Sequence, residues 1–317
     1  MQIIPRIRPI VATEITEFAR FAAGEDRGFA PTTAVEFESW LRALWTGGRS
    51  GPEHCWVAEE DGRYLEALVY WRLDNRYHIE HYRPRKNGGI GDRELLARSI
   101  HHLHAGGAAG VWAEIVSPPM GEPAALSFVA ALSDMGFKRS LHRLRFRRTG
   151  PADGPDDPGL VYRSCTELGH PVFIQAWAEV SAQSLDHEIA RAEREGTAMD
   201  HAAKAFTDAL GDQKDSRHWE LAYQPDGALV GLIAPGVFRD EPVIHYYGVA
   251  PAFRQKGLGR HLLMRGVRSL LRAGAESVRL DADAGNEPSV RAIRSCGFRQ
   301  IRSYSRYELA FQDIAAT

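Results

Sequence analysis

The stretch best suited to chemistry is Arg254-Gln255-Lys256-Gly257-Leu258-Gly259-Arg260. It stands directly before apolar residues at helical spacing: Leu262, Leu263, Val267, Leu270 and Leu271. The first turn of a helix carries N–H groups without partners inside the helix, and aligned peptide dipoles give it partial positive charge. Glycines there remove β-carbons from the path of an anion, while Arg254, Lys256 and Arg260 add cationic charge. A diphosphate needs such convergent N–H donors and no side chain in the way. Taken alone, Gly-x-Gly reads first as a glycine-softened helix start on a basic surface, so the flanking elements must decide.

Ahead of the turn, Val243 to Val249 (VIHYYGV) has the β-branched and aromatic content of a buried strand, and Pro251 ends it. Strand, glycine turn and amphipathic helix thus follow one another. Other candidate ligands are weaker. His78-x-Glu80-His81 falls on a strand, and His101, His102 and His104 fall at a helix end. Cationic histidine suits a helix C-terminus, and no helical His-x-x-x-His pair is present, so no metal is expected.

The chain has 317 residues, enough for two ordinary domains, with 44% hydrophobic and 25% charged residues. A formal charge of -2 gives no global basic excess, and no nucleic-acid partner is expected. Cys55, Cys165 and Cys296 lie far apart, as suits a reducing compartment. The N-terminus lacks a signal-peptide core, and no apolar run approaches the roughly 20 residues of a membrane helix. These features predict a cytoplasmic protein with no membrane partner.

Thr149 to Gly159 (TGPADGPDDPG) has the composition of an exposed linker. It divides the chain into residues 1–148 and 160–317, which read as divergent copies of one unit. Each opens with an extended run (Ile3 to Ile10; Leu160 to Ser164), then a helix-rich stretch, then a Trp-led hairpin turning at Asp61-Gly62 or Asp226-Gly227. A further strand leads to a glycine loop and helix: Lys86-x-x-Gly89-Ile90-Gly91 in the first half, Arg254-x-x-Gly257-Leu258-Gly259 in the second. Another strand, a short helix ending in Gly136-Phe137 or Gly297-Phe298, and a basic, aromatic strand close each half. Agreement in order across so many elements implies internal duplication. Hairpins mixed with helical crossovers imply an α/β fold, each half a mixed sheet flanked by helices.

The run Val249-x-Pro251-x-x-Arg254-x-x-Gly257-x-Gly259, followed by Asn286-x-x-Ser289, Ala292-Ile293 and Gly297-Phe298, resembles the signature of GNAT N-acetyltransferases. The resemblance spans residues 218 to 309. It implies two tandem GNAT-like domains, each a mixed, mostly antiparallel sheet, the second binding acetyl-CoA. By position, it assigns the cofactor to Val249, Arg254, Gln255, Lys256, Gly257, Leu258, Gly259 and Arg260, with Asn286 and Ser289 beside the pantetheine arm or thiol. No metal is implied.

The implied reaction is direct attack of a small-molecule primary amine on the thioester, in a ternary complex. Because a protonated amine has no lone pair to donate, a nearby base helps. His245 stands four residues before Val249, so period-two counting predicts that the two share a face, and its position resembles a catalytic histidine of one family branch. It reads equally as a half-buried strand histidine, and Glu241 is the alternative base. Many members place a tyrosine four residues before the glycine of Gly-Phe as the acid. Here Ile293 stands there, leaving Tyr246, Tyr247, Tyr304 and Tyr307 as substitutes. The tandem architecture also resembles the mycothiol synthase branch, which implies a cysteinyl amine as an alternative acceptor. A module that binds acetyl-CoA without turnover is a further alternative.

In the first half, Ala125 and Phe128 stand in place of Asn286 and Ser289, and Asp92 and Glu94 oppose phosphate. That half is expected to be a degenerate copy that shapes the acceptor cleft. Asp186, Glu188, Glu193 and Glu195 read either as an attractant for a cationic amine or as a solvated helix face. The expected assembly is a monomer or homodimer.

Overall fold

A computed structural model describes residues 5–23, 33–85, 91–117, 123–151, 158–213 and 216–313. The chain runs through β1 (Arg6–Pro9), α1 (Ile15–Ala22), α2 (Ala34–Thr46), β2 (Cys55–Glu60), β3 (Arg63–Leu73), β4 (Arg76–Arg83), α3 (Gly91–Ala105), β5 (Gly110–Ser117) and α4 (Pro123–Asp134). It continues through β6 (Lys138–Thr149), β7 (Val161–Ser164), α5 (Cys165–Leu168), α6 (His170–Ser181), α7 (His187–Arg194), α8 (Ala198–Gln213), β8 (Glu220–Tyr223) and β9 (Leu229–Phe238). The last elements are β10 (Glu241–Val249), α9 (Leu258–Arg272), β11 (Ser277–Asp283), α10 (Glu287–Ser295) and β12 (Arg299–Ala310). Two compact units form: residues 1–140 with 304–317, and residues 141–303.

In the first unit the strand order is β1-β2-β3-β4-β5, followed by the part of β12 from Tyr304 onward. The β2–β3 hairpin turns through Asp61 and Gly62, both at positive φ (48° and 72°), the backbone hand that matches strand twist. Side chains alternate across the sheet as period two demands. Cys55, Val57, Ala67 and Val69 pack beneath α1 and α2, whereas Trp56, Ala58, Leu68 and Tyr70 pack with residues of α3.

In the second unit the order is β6-β11-β10-β9-β8-β7. Antiparallel pairing prevails except between β10 and β11. One face is covered by α6 and α8 around the fully buried Trp219, whose Nε1–H donates to the Pro235 carbonyl at 3.0 Å. The other is covered by α9 and α10, whose Leu263, Val267, Val290 and Ile293 meet Ile244, Val278 and Leu280. Both units are therefore mixed α/β sheets with helices on each face.

The units do not end at the proline-rich segment. Thr149, the expected start of the linker, is still in β6 opposite Ser277, and residues 152–157 lie outside the described residues. The strand closing the first half, from Leu141, belongs to the second unit and pairs with β11. The strand closing the second half, from Tyr304, belongs to the first unit, where Arg306 meets Glu114 at 2.8 Å. The two halves thus exchange their final strands. Sequence pattern shows that a strand exists; which sheet edge it joins is a long-range choice.

Candidate active site

The site grows from a fault in the central strand. β10 pairs with β9 in continuous antiparallel register except between Ile244 and Tyr246, where His245 is an extra residue. Such a bulge bends the strand and takes a residue out of the ladder. On its other edge β10 meets β11 in parallel register only at Val243 opposite Arg279. Beyond that pair the strands separate, leaving the Tyr246–Val249 edge of β10 open to a ligand.

The bulge also corrects the expected side-chain phase. Ile244 and Tyr247 join the cluster of α9 and α10, and Val249 packs with Leu258 and Leu262. His245 and Tyr246 both lie on the opposite face, the first 6.4 Å from the Trp219 ring and the second 4.6 Å from the Trp177 ring. His245 therefore does not share a face with Val249, because the extra residue shifts the alternation by one. Its Nε2 atom is buried.

At the end of β10 the chain makes a turn with Gln255 at φ 63° and Gly257 at φ 78°. Gly257 is the N-cap of α9 and lies in the left-handed region, with no side chain capping the helix. Arg260 N–H donates to the Gly257 carbonyl at 3.1 Å, but the N–H groups of Gln255, Lys256, Gly257, Leu258 and Gly259 have no acceptor among the described residues. Left-handed turns that bring successive N–H groups into a concavity make anion sites, and a helix N-terminus adds to this. A β-carbon at Gly257 would meet nothing within 4 Å. One at Gly259 would lie 3.7 Å from Val249 Cγ2 and 3.9 Å from Tyr247 Cε2, so this glycine faces the strand rather than the open turn.

The cations divide in role. Arg254 is not presented to an anion: Nε donates to the Val249 carbonyl at 3.0 Å, Nη1 to Gln183 at 2.8 Å, and Nη2 to Val180 at 3.0 Å and to Ala182. It ties the end of α6 to the end of β10 and so positions the turn. Lys256 is exposed, its Nζ 3.3 Å from the Ala252 carbonyl and 5.2 Å from the Phe253 ring. Arg260 is exposed beside the turn.

Asn286 caps α10, its Oδ1 accepting from Ser289 N–H at 3.2 Å, which leaves its amide NH₂ without a partner among the described residues. Ser289 Oγ shares a 2.7 Å hydrogen bond with the Tyr247 hydroxyl. Burial pushes the Tyr247 phenol above its ordinary range, so it stays protonated at neutral pH. Ile293 is fully buried in the same cluster as Tyr247.

One sequence candidate falls outside this arrangement. Glu241, at the opposite end of β10 from the turn, is held between two guanidiniums, Arg147 at 2.8 Å and Arg279 at 3.2 Å. Tyr304 lies in β12, as the first residue of that strand's part in the first unit. Of the acidic residues, Asp186 caps α7, Glu188 pairs with Arg143 at 2.6 Å, and Glu193 accepts from Gln183 N–H at 3.0 Å. Sequence reasoning missed His187, whose Nδ1 lies 2.9 Å from the buried Asp283 carboxylate. No spacing signals a contact between residues so far apart.

The first unit differs at the corresponding places. Its glycine loop, residues 86–90, lies outside the described residues, as do the side chains of Asp92 and Ala125. Glu94 pairs with Arg98 at 2.7 Å on the α3 surface. β4 and β5 stay paired from Arg76 to Ile79, and Phe128 stacks on Tyr82 with ring centroids 4.4 Å apart, where the second unit has the polar Tyr247–Ser289 contact. His78 stacks on Trp112 at 3.8 Å, and among the described residues no group of three or more His, Cys, Asp or Glu is arranged to hold a metal ion. No described helix is long and apolar enough to cross a membrane.

Comparison with known proteins places this geometry. Residues 183–298 match the profile of the acetyltransferase (GNAT) family. A protein of Nocardiopsis dassonvillei named mycothiol acetyltransferase is 27% identical over 91% of this chain and 90% of its own. A solved GCN5-related N-acetyltransferase from Sphaerobacter thermophilus superposes with a TM-score of 0.60 at 17% identity, covering 96% of this chain and 95% of the other. A tandem GNAT protein of the clavulanic acid biosynthesis pathway does so with a TM-score of 0.53 at 18% identity, covering 96% and 98%. At such identities the solved structures speak to the fold, and that fold is the tandem GNAT arrangement.

Proposed function

The chain carries a GNAT acetyltransferase domain across residues 183–298, and from that premise we propose that it moves the acetyl group of acetyl-CoA onto a primary amine of a small molecule, by direct attack with both substrates bound. The observation that carries this reading is the set of N–H groups at residues 255–259 that have no acceptor among the described residues, in the turn that follows the open part of β10. Acetyl-CoA supplies an electrophilic thioester carbonyl and a sulfur leaving group.

The chain's own residues meet the needs of that donor. The turn offers its N–H groups to the diphosphate, with Lys256 and Arg260 contributing charge from the surface. The Asn286 amide, without a partner among the described residues, follows the end of β11 and is a donor for the pantetheine arm. The exposed edge of β10 after the bulge offers main-chain donors to a developing oxyanion. Tyr247, kept protonated by burial and held by Ser289, is the hydroxyl best placed to hold a proton for the departing sulfur in the absence of a tyrosine at 293. The first unit, with its strands still paired and an aromatic stack in place of the polar contact, is read as a degenerate copy, giving one acetyl-CoA site per chain.

A second reading rests on the relative named mycothiol acetyltransferase, which matches over most of the chain: the acceptor is then a cysteinyl amine of the mycothiol type. One experiment separates these readings from mere acetyl-CoA sensing. Isothermal titration gives the stoichiometry of acetyl-CoA, and thiol release, followed with a chromogenic disulfide, is measured across small amines including a cysteinyl amide. One site per chain with release on some amine supports the proposal. Binding without release on any amine refutes catalysis, and two equivalent sites refute the degenerate reading of the first unit.

A further inference from the structure

We propose that His187, held by Asp283, is the base that takes the proton from the acceptor's ammonium group. The proposal rests on the acetyltransferase reading and adds a residue to it. Asp283, the last residue of β11, has a side chain only 1% exposed, whereas that of His187 is 67% exposed. The carboxylate accepts from His187 Nδ1–H at 2.9 Å and from His187 backbone N–H at 3.1 Å, and also from Gly285 N–H at 2.7 Å. The ring nitrogen must be the donor, because an ionised carboxylate only accepts. Nδ1 is thereby protonated, and Nε2 is left as the basic nitrogen, on the side of the ring away from the carboxylate.

The ring sits at the C-terminal end of β11. A β-carbon on Gly285 would come within 2.9 Å of His187 Cε1, so the imidazole lies directly over Gly285, next to the Asn286 cap. Counting four ladder positions from the Val243–Arg279 pair, with the bulged His245 skipped, sets Asp283 about level with Gly248, beyond the point where the two strands part. Asp283 also lies on the His245 side of the sheet, since Val278, Leu280 and Ala282 face α9 and α10. That side of β11 and β6 is polar: Asp281 meets Arg145 at 2.9 Å, and Arg143, opposite Asp283, meets Glu188 and Asp186 at 2.6 and 3.4 Å. The charged groups around the ring are thus Asp283 from β11, Arg143 from β6, and Asp186 and Glu188 from α7, where Arg191 follows one turn on. A water-facing ring beside the open strand edge suits a polar amine entering from solvent.

The protons balance as follows. An ammonium group must lose two protons to become an amide. His187 Nε2 takes the first and passes it to water, freeing the nitrogen lone pair. As the C–N bond forms and the C–S bond breaks, the second proton passes from nitrogen to water, and the departing sulfur, which carries away the electron pair, takes a proton from the Tyr247 hydroxyl, which water then restores.

The test uses the full chain and whichever amine gives thiol release. His187→Asn places an amide nitrogen near the position of Nδ1, keeping a donor for Asp283 while removing the base. We expect kcat/KM to fall by about 10²-fold or more, the acid limb of its pH profile to disappear, and acetyl-CoA affinity by titration to stay within about threefold. Imidazole added to His187→Ala should restore part of the rate, which a purely structural loss would not allow. Independently of activity, proton NMR should show a hydrogen-bonded Nδ1–H resonance of His187 that is lost in Asp283→Asn. A rate within about threefold of wild type with an unchanged pH profile overturns the proposal, as does a His187→Asn protein that has also lost acetyl-CoA binding. An active wild type with an indifferent His187→Asn sinks this inference alone; a wild type that acetylates nothing sinks the acetyltransferase reading with it.

Discussion

Replacing Gly257 by alanine isolates the contribution of the left-handed turn. Gly257 holds φ 78°, and an added β-carbon would have no neighbour within 4 Å, so alanine introduces no clash. What it introduces is the intrinsic penalty of an L-residue in the left-handed region, about 1–2 kcal/mol. That penalty has two outlets. If the turn keeps its shape, global stability falls by the full amount. If the turn instead relaxes to negative φ in the free protein, the converging N–H groups of residues 255–259 disperse and must be gathered again on binding; the same 1–2 kcal/mol then appears as a roughly 5- to 30-fold weaker acetyl-CoA affinity. The two losses should therefore sum to about 1–2 kcal/mol. Urea denaturation followed by tryptophan fluorescence measures the first, and isothermal titration the second. Gly257→Asn is the control, because asparagine tolerates this conformation; it should recover most of whatever alanine loses. An alanine variant unchanged in both measurements would refute the assignment of the turn as the binding element. An asparagine variant as impaired as alanine would refute left-handed strain as the cause.

Arg254→Lys should be as damaging as Arg254→Ala, each raising the KM for acetyl-CoA, because a lysine keeps the charge but cannot reach the carbonyls of Val249, Val180, Ala182 and Gln183 together; rescue by lysine would show that charge on the diphosphate is the role. His245→Ala should lower kcat/KM by less than about tenfold, below the range for loss of a general base, since its ring lies against Trp219 with Nε2 buried; a fall of about 10²-fold with an altered pH profile would restore it as the base. Burial pushes the Tyr246 phenol up from its ordinary value of 10.0 to about 12. Its contribution is therefore fully present below pH 10 and is lost as pH rises toward 12. Urea midpoints across that window should fall less steeply for Tyr246→Phe than for wild type, and parallel curves would refute the assignment.

The strand, glycine turn and amphipathic helix around residues 243–274 were legible in the sequence because each is written in local terms: β-branched content, a proline stop, glycines, and apolar residues at helical spacing. The same holds for the Asp61-Gly62 turn and the repeated order of elements. What the sequence could not decide were choices between distant segments. The exchange of closing strands, the grip of Arg254 on the end of α6, and the seating of His187 on Asp283 each join residues whose separation leaves no periodic trace. Period-two counting failed at His245 because one bulged residue inverts every later phase, and bulges are fixed by how a strand packs between its neighbours. Gly259 likewise reads as a phosphate glycine from its spacing alone, yet its missing β-carbon faces Val249 and Tyr247. Local pattern determined which elements exist and where an anion could be held; tertiary packing determined which side chains reach that place, because their positions are set by surfaces that meet only once the chain has folded.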